Sequence, residues 1–336
     1  MLLKIIAITL SVLSLAASDL HECTAYDGTA LRVYGASPPV NYLLYALDPD
    51  VMVGLNFPLR QRERPYLPKA ANLPVIGGWY GQGRTPNLEV LASIRPELTI
   101  AWNYRGSFER IAKTLDTLSL PSCSMVLDRL EDYPAALRTL GCITSREARG
   151  ERLAKDFERR LADAQERLKA HRSALPPRVY YAEGVGGLQT ECGGSVHAEL
   201  IERAGGVNVH SCTPASGYGM EQITLEQLLL YDPDVIVAFE REFYKSVFGD
   251  PRFAGIKAVR EGRVYLIPDA PVNWFDRPPS FMRIAGLEWM QWVLHDGRDE
   301  RALRASLQEF FALWFGDAMS DEAVAMLLHP LGEAEK

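Results

Sequence analysis

Asn87-Leu-Glu-Val-Leu-Ala-Ser-Ile-Arg-Pro-Glu-Leu-Thr-Ile-Ala101 and Thr224-Leu-Glu-Gln-Leu-Leu-Leu-Tyr-Asp-Pro-Asp-Val-Ile-Val-Ala238 are two versions of one unit. Leu88, Glu89, Leu91, Pro96 and Ala101 match Leu225, Glu226, Leu228, Pro233 and Ala238, and Glu97 matches Asp234 in charge. Each copy reads as a short helix, a proline–acid turn that ends it, and an apolar strand. A second echo precedes each: Leu31-Arg-Val-Tyr-Gly-Ala36 against Pro177-Arg-Val-Tyr-Tyr-Ala182. Two echoes in the same order, half a chain apart, predict two similar α/β lobes.

Working outward, further short apolar runs read as strands: Leu31–Tyr34, Val51–Leu55, Leu98–Trp102 and Ser124–Leu127. Val40–Ala46 reads as a helix, and this alternation is the α/β pattern. A long helix interrupts it. Thr144 and Glu147 are spaced as a capping box. Leu153, Phe157, Leu161, Ala164 and Leu168 then recur on one face until about His171, before Pro176-Pro177. The expected division is residues 1–18 as a signal peptide, 19–143 as an N-terminal α/β lobe, 144–175 as a linking helix and 176–336 as a C-terminal α/β lobe.

The first segment is a short basic start, Met1-Leu2-Leu3-Lys4, followed by a mostly apolar run from Ile5 to Ala17 and small residues at Ala16-Ala17-Ser18. This reads as a cleavable secretory signal. Leu20-His21-Glu22 before Cys23 lacks the small residues of a lipidation signal, so a soluble periplasmic monomer is expected. Five cysteines suit an oxidising compartment. Cys192 and Cys212 flank a probable helix and its return loop, which suggests a local disulfide; Cys123 and Cys142 flank a helical segment in the same way. Buried free thiols are the alternative for each pair, and an odd cysteine remains.

Composition excludes several classes. With 47% hydrophobic and 24% charged residues in 336, the chain is neither disordered nor too small for real cores. A mean hydropathy of -0.09 and no 18-residue apolar run exclude a multi-span membrane protein. A net charge of -7 without a basic tract argues against nucleic acid. There is no GxSxG elbow or phosphate loop, and Gly184-Val-Gly-Gly-Leu-Gln189 fails as a dinucleotide fingerprint. The six histidines form no close metal pair, and no cofactor is expected.

In order along the chain, Arg32-Val-Tyr34, Leu73-Pro-Val-Ile-Gly-Gly78, Asn87-Leu-Glu89 to Pro96-Glu-Leu98 and the long helix are followed by Ala204-Gly-Gly-Val-Asn208. Then come Glu226 to Pro233-Asp-Val-Ile236, and Asp250-Pro-Arg-Phe253 to Ala258-Val-Arg-Glu-Gly-Arg-Val-Tyr-Leu-Ile-Pro268. With the signal peptide, this series resembles the class III periplasmic substrate-binding proteins of ABC importers, which carry iron–siderophores, haem, cobalamin and some metal species. The resemblance covers most of the mature chain. It implies two Rossmann-like lobes, a rigid helix joining them, a ligand cleft between them, and a permease partner in the inner membrane.

Open α/β sheets hold ligands at strand-end loops. On the resembled architecture, the ligand-binding candidates there are Tyr80, Arg84, Trp102, Tyr104, Arg105, Glu191, Tyr218, Trp274 and Arg277. Aromatic faces would supply rigid walls, and arginines directed donors for an anion. Asn273-Trp-Phe-Asp-Arg-Pro-Pro-Ser280 puts Trp274 and Arg277 first in this set, or else pairs Asp276 with Arg277 at a capped helix entry. The arginines suit an anionic metal chelate such as a ferric siderophore, or an oxyanion such as molybdate. Glu183, Glu191 and scattered histidines would suit a cationic metal, such as a nickel or cobalt species, or its chelate. Glu89 and Glu226 occupy equivalent places in the two repeats and match the family's permease-docking glutamates. The rival from another class is an exported chelatase-like enzyme.

Overall fold

The computed structural model describes residues 22–80, 84–170, 175–213, 219–295, 299–316 and 319–329. The signal-peptide expectation lies outside these residues. Among them no helix is long and apolar enough to cross a membrane.

The first half builds β1 (Val33–Gly35), α1 (Pro38–Leu47), α2 (Leu88–Ile94), β2 (Leu98–Trp102), α3 (Phe108–Thr117), β3 (Ser122–Met125) and α4 (Asp132–Ile143). α5 (Glu147–Ala170) follows. The second half builds β4 (Arg178–Ala182), β5 (Gln189–Thr190), α6 (Glu199–Arg203), β6 (Val207–Asn208), β7 (Glu221–Gln222), α7 (Leu225–Tyr231), β8 (Val235–Ala238), α8 (Arg241–Val247), α9 (Lys257–Arg260) and β9 (Val264–Leu266). α10 (Arg283–Leu294), α11 (Glu300–Phe315) and α12 (Asp321–Leu328) close the chain. Two parallel sheets result, ordered β1-β2-β3 and β6-β4-β8-β9. This is the expected α/β architecture of two lobes.

The sequence repeat is repeated in atomic detail. Asn87 caps α2 through the N–H groups of Glu89 and Val90, and Thr224 caps α7 through Gln227. Both helices end on a left-handed residue, Arg95 (φ 48°) and Asp232 (φ 39°), just before the proline. The acid after each proline ties the turn to the neighbouring strand. Glu97 accepts from the Arg32 N–H at 3.2 Å, and Asp234 from the Arg178 N–H at 2.9 Å. Arg32 and Arg178 in turn donate to the last helical carbonyls, Ile94 and Tyr231, each at 2.6 Å.

Three local expectations are corrected. Val51–Leu55 forms only isolated bridges, because its hydrogen bonds divide between two partners: Val53 N–H donates to Val33, while Leu55 pairs with the Pro74–Ile76 segment. The strand expected at 124–127 is β3, two residues earlier. Thr144 is no N-cap: its hydroxyl bonds back to the Leu140 carbonyl at 2.7 Å, so it ends α4, and α5 starts at Glu147.

The stripe of α5 is buried at Leu153, Phe157, Leu161 and Ala164. At ~1.5 Å per residue, its 24 residues extend about 36 Å. α10 and α11 pack back onto α5 and α1, so the terminal helices lie against the first-half elements as well as their own. Arg149 fastens this arrangement, donating to Ala46 and Leu313 carbonyls. Inside it, Arg160 is 1% exposed and bonds Asp156, Glu288 and Ser306.

Two disulfides form. Cys192 is bonded to Cys212. Cys123 pairs with Cys23, not Cys142: β3 lays Cys123 beside the Glu22–Ala25 segment, with the two Cα atoms 4.9 Å apart, while Cys142 is exposed and free on α4.

Candidate functional site

The carboxyl ends of β8 and β9 open into loops that meet the segment between α1 and α2. A cavity of about 390 Å³ lies there, lined by Arg60 and Arg62 from the first half and by Phe239, Arg241, Asp269 and Arg277, among others, from the second. Asp269 is its centre of charge. Arg62 Nη2 reaches Asp269 Oδ2 at 2.5 Å, Arg241 Nη2 stands 4.0 Å from Oδ1, and Arg60 donates to the Asp269 carbonyl at 3.4 Å. The two halves of the molecule are therefore joined across this cavity by the Arg62–Asp269 ion pair and the Arg60 hydrogen bond.

Behind the cavity lies a buried polar cluster at the end of β4 and around β5. Arg277 donates to Glu183 and Glu191 and stands 3.5 Å from Asp276. Asp276 accepts the Tyr181 hydroxyl at 2.5 Å and pairs with His197 Nδ1 at 2.9 Å. Glu191 accepts from the Ser195 hydroxyl at 3.1 Å and the Met220 N–H at 3.0 Å. Gly219 (φ 68°) is required here, since a Cβ at that position would collide with the Glu191 carboxylate. Burial pushes Glu183 up to about 9, with Asp276 and Glu191 adding to the rise against the pull of Arg277. Burial pulls on Arg277 in the opposite sense, but Asp276, Tyr181 and Glu183 outweigh it and hold the guanidinium charged.

Two aromatic groups sit on the first-half loops. Trp102 and Tyr104 lie with ring centroids 4.6 Å apart, Arg105 stacks over Tyr104, and the Trp102 indole donates to Asp128 at 2.7 Å. Tyr80 packs on Phe57 at 4.6 Å, with Arg84 5.9 Å from its ring. Burial raises the Tyr104 hydroxyl, with Asp128 and Glu191 adding to the rise against the pull of Arg105.

Sequence and structure comparisons agree with the two-lobed α/β fold. The periplasmic binding protein family model matches residues 79–271, more than half of the chain. The chain belongs to the periplasmic binding protein family. An ABC transporter solute-binding protein from Sulfurospirillum deleyianum shares 34% identity and a TM-score of 0.86, covering 92% of this chain and 98% of that one. A vitamin B12-binding protein from Pectobacterium atrosepticum is 27% identical over 217 residues, 64% of this chain and 74% of the relative. The molybdate-bound MolA structure from Haemophilus influenzae has a TM-score of 0.73 at 17% identity, covering 89% and 98%. This is thus a binding protein of the ABC-transporter type.

Of the expected ligand residues of this periplasmic binding protein, Arg277 lines the cavity, and Glu191 is the buried partner that holds it. Tyr80, Arg84, Trp102, Tyr104 and Arg105 form the two aromatic–arginine groups on the first-half loops and are not among the cavity-lining residues. Tyr218 lies outside the described residues. Trp274 is corrected: it is 0% exposed, packs on Phe311 and donates to the Ala270 carbonyl, so it is a core residue and no cleft wall. The indole is too large an apolar surface to leave in water when α11 offers it an aromatic face. Arg277 neither meets solvent as a free guanidinium nor pairs at the surface, because three carboxylates hold it from inside. Arg60, Arg62, Arg241 and Asp269 were missed. Arg241 stands just after β8, where the repeat register sets it opposite Tyr104 and one place before the counterpart of Arg105. Arg60 and Arg62 stood in the basic run Arg60-Gln-Arg-Glu-Arg64.

Proposed function

We propose that this protein captures a compact anionic metal complex in the periplasm, foremost a ferric chelate of the siderophore class, and delivers it to an ABC permease in the inner membrane. The carrying observation is the convergence of Arg60, Arg62, Arg241 and Arg277 on one cavity between the halves. Guanidinium groups are rigid, permanently charged forks suited to carboxylate and oxyanion groups. The Arg62–Asp269 pair also gives an anion a way to couple binding to closure, by taking the place of the Asp269 carboxylate. The cavity, about 390 Å³, is at the small end of ligand sites, which run ~300–1,000 Å³. Its size favours a small chelate over a whole corrinoid, the ligand named for the Pectobacterium relative. The same size supports a second reading, a metal oxyanion, the ligand class of the Haemophilus relative.

Titration of wild type and of Arg62→Ala and Arg241→Ala with ferric chelates, haem, cobalamin, molybdate and nickel chelates tests both, read by calorimetry. An arginine–anion contact is worth roughly 1.5–3 kcal/mol, so each variant should bind its true cargo about tenfold or more weakly. Unchanged affinity in both variants, or a preference for a neutral cargo, overturns the proposal.

Delivery is assigned to Glu89 and Glu226. Both are exposed on the first turn of the twin helices, and Leu230, 79% exposed one turn beyond Glu226, adds an apolar contact on the same face. Charge reversal of both glutamates should abolish uptake by cells while leaving the solution affinity intact. Normal transport by the double variant would exclude them as docking groups.

A further inference from the structure

The cluster behind the cavity crowds three buried acids around one arginine and one histidine. Glu183, Glu191 and Asp276 are 0%, 1% and 0% exposed, and all three face the single guanidinium of Arg277. The second oxygen of Glu183 is buried without a hydrogen-bond partner among the described residues. Within this cluster Glu191, His197 and Asp276 each bring one ligand atom to within 4.8 Å of the others, and all three are buried.

We propose that Glu191, His197 and Asp276 form a binding site for a divalent first-row transition cation, and that Arg277 is the built-in competitor for it. One imidazole nitrogen with two carboxylate oxygens is a donor set for a borderline cation such as Zn²⁺ or Mn²⁺. His197 and Asp276 already stand 2.9 Å apart. With metal–ligand bonds of about 2.0–2.1 Å, tetrahedral ligand atoms lie about 3.4 Å from one another, so drawing Glu191 in from no more than 4.8 Å needs a shift of at most about 1.4 Å. The outer partners are in place: Tyr181 holds Asp276, and Ser195 with the Met220 N–H holds Glu191. Three protein ligands leave a coordination position for water or a solute group. A displaced Arg277 has somewhere to go, because it already lines the cavity, and there it would add a positive charge. The second His–Cys group, Cys192, His210 and Cys212, is not an equivalent candidate, since its two sulfurs are joined to each other.

This site takes a bare cation, so it stands whether or not the cavity binds an anion. Metal-free full-length protein is titrated with Zn²⁺ against a chromophoric chelator, with no anionic solute present, and Co²⁺ absorption is recorded in parallel. One equivalent should bind, with the intense visible bands of low-coordinate Co²⁺. His197→Gln should weaken Zn²⁺ binding about 100-fold, and Arg277→Gln, which removes the competitor, should tighten it about tenfold. Absence of stoichiometric binding overturns the proposal, as does wild-type affinity in His197→Gln or loss of the site in His210→Ala instead. Should His197→Gln fail to fold, the wild-type Co²⁺ spectrum decides alone: pale, hexa-aqua-like bands reject the site.

Discussion

Replacing Cys23 and Cys123 together by alanine should lower the unfolding free energy of the oxidised protein by about 4–5 kcal/mol, the chain-entropy value for a loop of about 100 residues. The bond spans a sequence separation of 100 and pins the Glu22–Ala25 segment onto β3, whose residues pair with the central strand β2. Both half-cystines are buried, Cys23 at 2% and Cys123 at 3%, so little surface is exchanged and the loss falls mainly on the unfolded chain. Cys192–Cys212 closes a separation of only 20 and should contribute less, about 3 kcal/mol by the same relation. Urea unfolding of the oxidised variant measures the difference directly. An oxidised double-alanine protein as stable as wild type would show that the long bridge does not restrict the unfolded chain.

Arg160→Ala should destabilise the protein by about 3–5 kcal/mol, because it leaves buried carboxylates without their cation. Arg160 is 1% exposed and joins Asp156 at 2.8 Å to Glu288 at 2.9 Å, while Trp314 donates to the same Asp156 and Ser306 to Glu288. Burial raises the Asp156 carboxyl, but Arg160, Trp314 and Arg159 outweigh it and hold it below the usual carboxylate range. α5, α10 and α11 are thus locked by one network. Arg138 on α4 offers the contrast: it bonds Glu151 and Glu158 of α5 on an exposed face, 38% accessible, and Arg138→Ala should barely shift the midpoint. The combined change Arg160→Met and Glu288→Leu should recover part of the loss, since an apolar pair needs no compensation. Thermal and urea denaturation of the set separates these outcomes. Equal small effects for Arg160→Ala and Arg138→Ala would mean that water reaches the network.

The sequence by itself determined what repeats and what alternates. The twin units ending at Ala101 and Ala238 carried their short helices, their proline–acid turns and their apolar strands, so β2 and β8 could be placed with their helices. Those features depend on near neighbours in the chain, whereas the ties of Glu97 to Arg32 and of Asp234 to Arg178 span 65 and 56 positions and came only with the fold. The apolar stripe of α5 was equally legible, because a 3.6-residue period has one buried face. The family followed from the order of such units. Tertiary structure alone decided which polar side chains meet. Trp274 looked like a cleft wall until α11, contributed from far along the chain, covered it. Thr144 had two carbonyl and amide partners within reach and took the one behind it. Cys23 found Cys123 across 100 residues, a choice among pairings that spacing cannot rank. The cavity joins Arg62 to Asp269, some 200 positions further along the chain, and the two meet only because the two halves lie against one another, while Arg241 reaches Asp269 from within the second half. Ion pairs across such distances depend on the relative placement of whole lobes, and no periodicity in the chain encodes it.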